Sequence, residues 1–290
     1  MASRAIERLL DSVKSGRYYS AGPEEIQELY ELSQRYLYSK QGSLDEQTFY
    51  RLLQQHFHLA LITGNDSAAK LSLQRLVDRF GEESSVVGVL KAQYMEMTES
   101  VEAAQKYLSS RDVNDYSAFK RKTVILKQNG NWKRYVEELL QYLDICPTDT
   151  EVWAEVAEAY LHLKLYGQAI HCLEEVVVQM PQAYNIFARM GEITHISATV
   201  APNPAEQILK LKDSVTLFLR SVELCPVYVR GWSGVYVVSK KLLSYPKLQA
   251  ADKQTYQDLQ AVAKSQLETI VNTSNATPEN IEAANSILKL

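Results

Sequence analysis

Proline and glycine are scarce in this 290-residue chain, which contains 8 prolines and 11 glycines. A fold with many tight turns, such as an all-β sandwich or barrel, needs more of both, so their scarcity favours long helices. Cysteine is also rare, and its three positions lack the Cys-x-x-Cys spacing of metal and redox motifs. We predict that Cys146, Cys172 and Cys225 are reduced packing residues.

Long hydrophobic runs are missing as well. No stretch approaches the roughly 20 apolar residues that a membrane-spanning helix requires, and the N-terminus lacks the apolar core of a signal peptide. The sequence therefore predicts no direct membrane span. The formal net charge is −4, without the basic excess typical of nucleic-acid-binding proteins, so no nucleic-acid partner is expected.

Motifs for catalysis and cofactor binding are absent from the sequence. The five histidines include no pair at the i, i+4 spacing of a helical metal site. No glycine-rich phosphate loop and no Gly-x-Ser-x-Gly nucleophile motif occurs. We therefore expect no enzymatic activity, no cofactor, no metal and no small-molecule substrate.

A regular pattern of aromatic, small and apolar residues begins at Thr150. Counted from there, positions 4, 7, 8, 11, 20, 24 and 32 are Trp153, Val156, Ala157, Tyr160, Ala169, Leu173 and Pro181. This spacing defines the tetratricopeptide repeat, a hairpin of two helices. The small side chains of Ala157 and Ala169 allow the two helices to approach closely, and Pro181 ends the second one. We place the turn at residues 165–167.

The repeat recurs along the chain. Pro147 precedes Pro181 by 34 residues, which is the tetratricopeptide period. Pro226 ends the following unit 45 residues after Pro181, so that unit contains 11 extra residues. We place them before an extended second helix that begins with Asn203 as N-cap and Pro204 as its first residue. Trp232 follows Pro226 by six residues, as Trp153 follows Pro147, which predicts a new first helix there.

The sequence thus predicts an all-α, tetratricopeptide-repeat superhelical solenoid of about five helical hairpins with atypical terminal helices. Degenerate hairpins are expected upstream, with turns at residues 63–66 and near residues 99–100. We predict one continuous domain, in which residues 1–44 form N-terminal capping helices, residues 45–247 the solenoid and residues 248–290 C-terminal capping helices.

A basic segment occupies residues 119–135, which include no acidic residue and six basic ones: Lys120, Arg121, Lys122, Lys127, Lys133 and Arg134. One interpretation is a solvated outer face. The other is a docking patch for an acidic partner segment or an anionic lipid surface. In the second case Lys120 and Lys127, seven residues apart on a first helix, are expected to bind the partner, with Arg121 and Lys122 more peripheral.

Some tetratricopeptide domains bind the carboxylate end of chaperones through Lys and Asn at the fifth and ninth repeat positions. This chain has Ala154 and Glu158 there, which argues against a receptor of that kind.

Residues 151–160 (EVWAEVAEAY) and 166–175 (YGQAIHCLEE) resemble subunit 2 of the endoplasmic reticulum membrane protein complex, and a fungal member in particular. Val156 stands where that family commonly has Leu. The resemblance is strongest over residues 149–232 and faint before residue 84.

The resemblance implies a non-catalytic scaffold subunit, located peripherally on the cytosolic side of the endoplasmic reticulum membrane. It also implies partners, namely the other subunits of the complex, which this subunit contacts through their cytosolic segments. The complex inserts tail-anchored and multipass proteins into the membrane. The alternative is a tetratricopeptide adaptor for another chaperone or trafficking assembly.

Overall fold

The computed structural model describes residues 2–39, 45–112, 114–246, 248–272 and 277–289. Every regular element in these ranges is a helix, which confirms the predicted all-α class. The chain forms two compact units, residues 1–130 and residues 131–290, here called the N-terminal and C-terminal units. The predicted domain boundaries at residues 44 and 247 lie outside the described residues and stay predictions.

The N-terminal unit contains seven α-helices and one short 3₁₀ helix within its described residues. In chain order they are α1 (Ala2–Ser15), the 3₁₀ helix (Arg17–Tyr19), α2 (Pro23–Ser39), α3 (Glu46–Ile62), α4 (Asp66–Phe80), α5 (Ser85–Thr98), α6 (Val101–Ser109) and α7 (Tyr116–Gln128). Helix α3 pairs with α4 and α5 with α6, while α2 packs against α3, and α7 packs against α5 and α6. The two upstream hairpins are therefore confirmed.

The C-terminal unit contains eight α-helices within its described residues. They are α8 (Trp132–Ile145), α9 (Thr150–His162), α10 (Tyr166–Gln179), α11 (Tyr184–Thr199), α12 (Pro204–Leu224), α13 (Val229–Leu243), α14 (Ala250–Asn272) and α15 (Pro278–Leu288). Three hairpins are formed by α9 with α10, α11 with α12, and α13 with α14, and α15 packs on α13 and α14. Among the described residues, no helix combines the length and apolarity needed to cross a bilayer.

Side-chain caps define where most helices begin. The carboxylate, amide or hydroxyl oxygen of the N-cap residue accepts a hydrogen bond from a backbone N–H in the first turn, which would otherwise lack a partner. The residues that cap in this way are Asp45, Asn65, Ser100, Asp115, Asn131, Asp149, Asn203 and Thr277. The predicted start of α12 is confirmed, with Asn203 accepting from the Glu206 amide at 2.9 Å and Pro204 as first helical residue.

The turn predicted at residues 165–167 is misplaced. Helix α10 begins at Tyr166, so Gly167 lies in its first turn, and the connection from α9 consists of residues 163–165. Lys164 adopts the left-handed conformation there, with φ of 60°. Glycine is the usual residue at such a φ, and the nearby Gly167 therefore makes the sequence favour a turn that includes it.

The six-residue spacing between proline and tryptophan has a direct structural cause. The indole N–H of Trp153 donates to the carbonyl oxygen of Pro147 at 2.8 Å, and that of Trp232 donates to the carbonyl oxygen of Pro226 at 2.7 Å. Each bond fixes the start of a first helix to the end of the second helix that precedes it.

Glycines let helices of the C-terminal unit approach closely around Phe218, a buried residue of α12. A Cβ atom added to Gly234 of α13 would lie 2.3 Å from the Phe218 ring, and one added to Gly191 of α11 would lie 3.0 Å from it. Ser214 strengthens the same contact by donating its hydroxyl to the Gly191 carbonyl at 2.7 Å.

A similar close approach occurs in the N-terminal unit, where the Arg111 guanidinium lies against Gly88 of α5. The guanidinium donates to the Glu82 and Glu83 carbonyls at 3.0 and 2.8 Å and to the Asp115 carboxylate at 2.8 Å. Burial alone would raise the pKa of Asp115, but the Ala118 amide and Arg111 outweigh it and lower that pKa. Arg111 therefore links the start of α5 to the start of α7.

His56 is a buried titratable residue of the N-terminal unit, stacked on the Tyr30 ring at 5.2 Å between centroids. The Ser33 hydroxyl donates to the Tyr30 carbonyl, so at 2.7 Å it accepts from the His56 Nδ1–H. Nε2 is then the unprotonated nitrogen, buried without a hydrogen-bond partner among the described residues. Burial, with a smaller contribution from Arg75, lowers the pKa of His56 to about 4.

We expect Gly234→Ala to destabilise the C-terminal unit by about 1–3 kcal/mol, because the new methyl group overlaps the Phe218 ring. The measurement is thermal unfolding followed by circular dichroism. Gly167→Ala is the matched control, since a Cβ there meets nothing within 4 Å. It should raise the stability of α10 by up to about 1 kcal/mol. Equal melting temperatures for the two variants would contradict this packing.

We expect the stability of the protein to fall by about 2 kcal/mol between pH 7.5 and pH 5 because of His56. In this window the unfolded histidine, with a pKa of about 6.5, binds a proton that the folded one does not, since the pKa of folded His56 is about 4. This contribution is complete above pH 6.5 and is lost as pH falls towards 4. His56→Phe keeps an aromatic ring stacked on Tyr30 but has no group that titrates. Urea denaturation of both proteins at pH 7.5 and pH 5 should therefore show a smaller loss of stability in the variant. An unchanged pH dependence in the variant would refute it.

Candidate partner-binding surface

The first helices of the C-terminal unit are joined by charged side chains, beginning with Glu158 of α9 and Arg189 of α11. The guanidinium donates two parallel hydrogen bonds to the carboxylate, at 2.7 and 2.8 Å. Such bidentate pairs are stronger and more directional than single contacts. Arg189 is 27% exposed and Glu158 45%, so water screens the pair only in part.

The charged contacts continue to the next first helix. Arg189 also donates to Glu192 at 3.0 Å, and Glu192 in turn accepts two hydrogen bonds from Arg230 of α13. The hydrogen bonds that Arg189 donates to Glu158 and Glu192, with the Glu158 bonds having the larger effect, raise the pKa of Arg189. The chain Glu158–Arg189–Glu192–Arg230 thus crosses three first helices with balanced charge. We call the surface it occupies the C-terminal first-helix face.

His195 and Lys241 form a further link between α11 and α13, with 3.3 Å between Nε2 and Nζ. Burial, together with the Lys241 charge, lowers the pKa of His195, so the imidazole is neutral near pH 7 and accepts from the ammonium group. The His195–Lys241 contact and the Glu192–Arg230 pair therefore join α11 to α13 at two positions along the helices.

The first helices of the N-terminal unit are linked in the same way. His58 of α3 lies 3.0 Å from the side-chain oxygen of Gln93 on α5, and Arg121 of α7 donates to Glu96 of α5 at 2.9 and 2.5 Å. The Arg121 and Glu96 side chains are only 20% and 10% exposed. We call this surface the N-terminal first-helix face.

The predicted docking residues fall into different environments. Lys120 and Lys127 are exposed on α7, and Lys122 is half-buried. Arg121 is engaged with Glu96, so its charge is balanced within the unit. Lys133 and Arg134 begin α8 and belong to the C-terminal unit.

The predicted repeat residues all lie in or beside the hairpin of α9 and α10. Val156, Ala157, Ala169 and Leu173 are buried, whereas Trp153 and Tyr160 are half-buried and Pro181 is exposed just after α10. Burial, with a smaller effect from Cys172, raises the pKa of Tyr160.

The three cysteines differ in burial: Cys172 is buried, and Cys146 and Cys225 are half-buried. Burial raises the pKa of the Cys172 thiol to about 11, so it is protonated at neutral pH. Cys146 and Cys225 are the C-cap residues of α8 and α12. In the part of the chain that the structure describes, no group of three His, Cys, Asp or Glu side chains is placed to hold a metal ion.

The charged chain of the C-terminal first-helix face was not identified from the sequence. Its members are far apart along the chain, and a sequence signal exists only for two of them. Glu158 and Glu192 are separated by 34 residues, one repeat period, and therefore occupy equivalent positions. The arginines do not follow the period.

Comparisons with known proteins support the resemblance seen in the sequence. A sequence profile of the EMC2 TPR-like repeat domain matches residues 79–208. The TPR repeat protein oca3 of Schizosaccharomyces pombe is 34% identical over 224 residues, which cover 76% of each chain. The chain belongs to the EMC2 family of tetratricopeptide proteins.

Further relatives carry the name of the complex. ER membrane protein complex subunit 2 of Saccharomyces cerevisiae is 26% identical over 248 residues, covering 81% of this chain and 85% of that protein. Subunit 2-A of Xenopus laevis is 28% identical over 196 residues, covering 67% and 63%. The EMC2 likeness therefore extends well beyond residues 149–232, and the fungal relatives agree with the predicted fungal member.

Solved structures show the same fold. The C-terminal part of a TPR repeat-containing protein from Cytophaga hutchinsonii aligns with a TM-score of 0.53 at 13% identity. The alignment covers 95% of this chain and 98% of that one. The predicted tetratricopeptide-type solenoid fold is confirmed.

We expect Arg189→Met to destabilise the C-terminal unit by about 1–2 kcal/mol, because Glu158 loses both hydrogen bonds. Urea denaturation measures the effect. Arg220→Met is the matched control, since the Arg220–Glu223 pair is more exposed on both sides, and it should change stability by less than about 0.5 kcal/mol. A double-mutant cycle with Glu158→Gln should give a coupling energy that shrinks in 1 M NaCl, and additive single effects would argue against the pair.

Proposed function

We propose that this chain is a non-catalytic scaffold subunit of the endoplasmic reticulum membrane protein complex. The observation that carries the proposal is its likeness to ER membrane protein complex subunit 2 of yeast and Xenopus over two thirds of the chain or more. In this proposal the chain lies peripherally on the cytosolic side of the membrane. It holds cytosolic segments of the other subunits while the complex inserts tail-anchored and multipass proteins.

The geometry of the two first-helix faces supports a holding role. Stacked helical repeats commonly use such faces to bind extended partner segments. Here ion pairs such as Glu158–Arg189 and Glu96–Arg121 fix neighbouring first helices to each other. A surface that is already ordered loses little conformational entropy when a partner binds, which favours affinity.

An adaptor for chaperone tails is less well supported. Such a receptor needs cationic and amide side chains that bind a terminal carboxylate. Glu158 stands at one of the two positions and uses its carboxylate to bind Arg189. A second carboxylate brought to this position would be repelled.

Lys120 and Lys127 are the candidates for contact with a partner on the N-terminal unit. Both are exposed on α7, seven residues apart, so they lie near the same side of the helix. Arg121, between them in sequence, is directed to Glu96. We propose that the two lysines bind an acidic cytosolic segment of another subunit.

The double variant Lys120→Glu with Lys127→Glu should recover less of the complex in co-immunoprecipitation at physiological salt, because it replaces attraction by repulsion. A single exposed pair contributes at most about 1 kcal/mol, so both lysines must change. Lys70→Glu with Lys106→Glu is the matched control. It changes the net charge equally at exposed lysines of the second helices α4 and α6.

Circular dichroism must first show that both variants are folded. Loss of complex only in the Lys120/Lys127 variant supports the proposed contact, whereas full recovery in both would make this patch a solvated face. Failure of the unmodified chain to co-purify with the other subunits from detergent-solubilised membranes would refute the proposed function itself.

A further inference from the structure

The hairpin of α11 and α12 is longer than the hairpin before it. Helices α9 and α10 contain 13 and 14 residues, whereas α11 and α12 contain 16 and 21. Ala157 and Gly191 are equivalent repeat positions, as are Ala169 and Ser214, so the extra residues lie at the end of α11 and the start of α12. The longer hairpin therefore extends past the turn that joins α9 to α10.

An open groove of about 620 Å³ lies where the longer hairpin extends past the shorter one. Residues of α10, α11 and α12 line it. Ile170, Met190 and Leu217 supply apolar surface from the three helices. Val200, at the end of the longer α11, lines the groove and is 63% exposed. Leu209, which precedes the groove residue Lys210 in the sequence but does not itself line the groove, is 59% exposed. Apolar side chains this exposed in one region are typical of a surface that binds another molecule.

The extended first part of α12 is held in place by contacts with residues that do not line the groove. The Tyr245 hydroxyl donates to Gln207 at 2.8 Å, and Lys212 pairs with Asp252 of α14 at 2.7 Å. Gln207 in turn donates to the Ala201 carbonyl at 3.1 Å. The groove wall is thus ordered before anything binds to the groove.

The charge at the rim of the groove is acidic. Glu174 of α10 and Asp213 of α12 both line it, and Glu174 lies 3.7 Å from the Nδ1 atom of His171. The Lys210 charge is offset by Glu206 at 3.1 Å. A basic side chain above the apolar floor would therefore be favoured, and an acidic one disfavoured.

We propose that this groove binds a segment of a partner protein in which apolar side chains are flanked by Lys or Arg. The apolar side chains lie against Ile170, Met190 and Leu217, and the basic group faces Glu174 and Asp213. Helices α10, α11 and α12 all contribute to the groove, and none of its lining residues belongs to the ion pairs of the first-helix faces. The inference goes beyond the proposed function and does not depend on it.

The test selects peptides rather than assuming a partner. A randomised 12-residue peptide library displayed on phage is panned on the purified full chain and counter-selected on Val200→Glu. Enriched peptides should combine apolar and basic residues, and fluorescence anisotropy should show at least a ten-fold weaker affinity for Val200→Glu. Val178→Glu is the matched control, because Val178 is 76% exposed on α10 and does not line the groove.

A second variant tests the charge. Glu174→Lys with Asp213→Lys should weaken the same peptides by at least ten-fold. All variants change exposed side chains, so their melting temperatures should match that of the unmodified protein. The proposal is overturned if no peptide discriminates against Val200→Glu, if the enriched peptides are acidic, or if Val178→Glu weakens binding equally. It is also overturned if the chain sediments as a dimer that Val200→Glu dissociates, since the occupant would then be a second copy.

Discussion

Close approach between helices at positions without a side chain is the constraint on which much of this structure depends. The Phe218 ring occupies the space left by Gly191 and Gly234, and the Arg111 guanidinium occupies the space left by Gly88. Interiors are packed so densely that one added methyl group must displace its neighbours. The links between first helices depend on the same spacing, because Arg230 and Lys241 reach Glu192 and His195 only when α13 lies close to α11.

The charged side chains of the first-helix faces act first within the protein. In Glu158–Arg189–Glu192–Arg230 every charge has an opposite neighbour. These four side chains together therefore attract neither acidic nor basic partners strongly at long range. A partner that displaced one member would leave a partly buried charge without its counterpart, which is costly. Specific recognition on these faces therefore requires further exposed groups, such as Lys120 and Lys127 of α7.

The sequence was sufficient where a structural feature depends on residues close together in the chain. The N-cap at Asn203, the proline at the start of α12 and the proline-to-tryptophan spacing could all be predicted, because each involves contacts within about one or two helical turns. The pairing of Arg121 with Glu96 could not, since it joins residues 25 apart on different helices. A run of basic residues looks uniform in sequence, and only the packing of α7 on α5 separates Arg121 from Lys120 and Lys127.

The 11 extra residues of the α11–α12 unit were visible in the sequence, but their effect on the surface was not. An insertion in a regular repeat is tolerated if it forms a disordered loop, yet here it lengthens two helices and is held by Tyr245. Leu211 of the lengthened helix is fully buried, whereas Leu209, two residues earlier, is exposed. The helix therefore presents an apolar side to its own unit, while the side that lines the groove carries Leu217 together with Lys210, Asp213 and Thr216. The covered apolar side is enough to keep the lengthened helix in place, and this leaves the side that lines the groove available for binding.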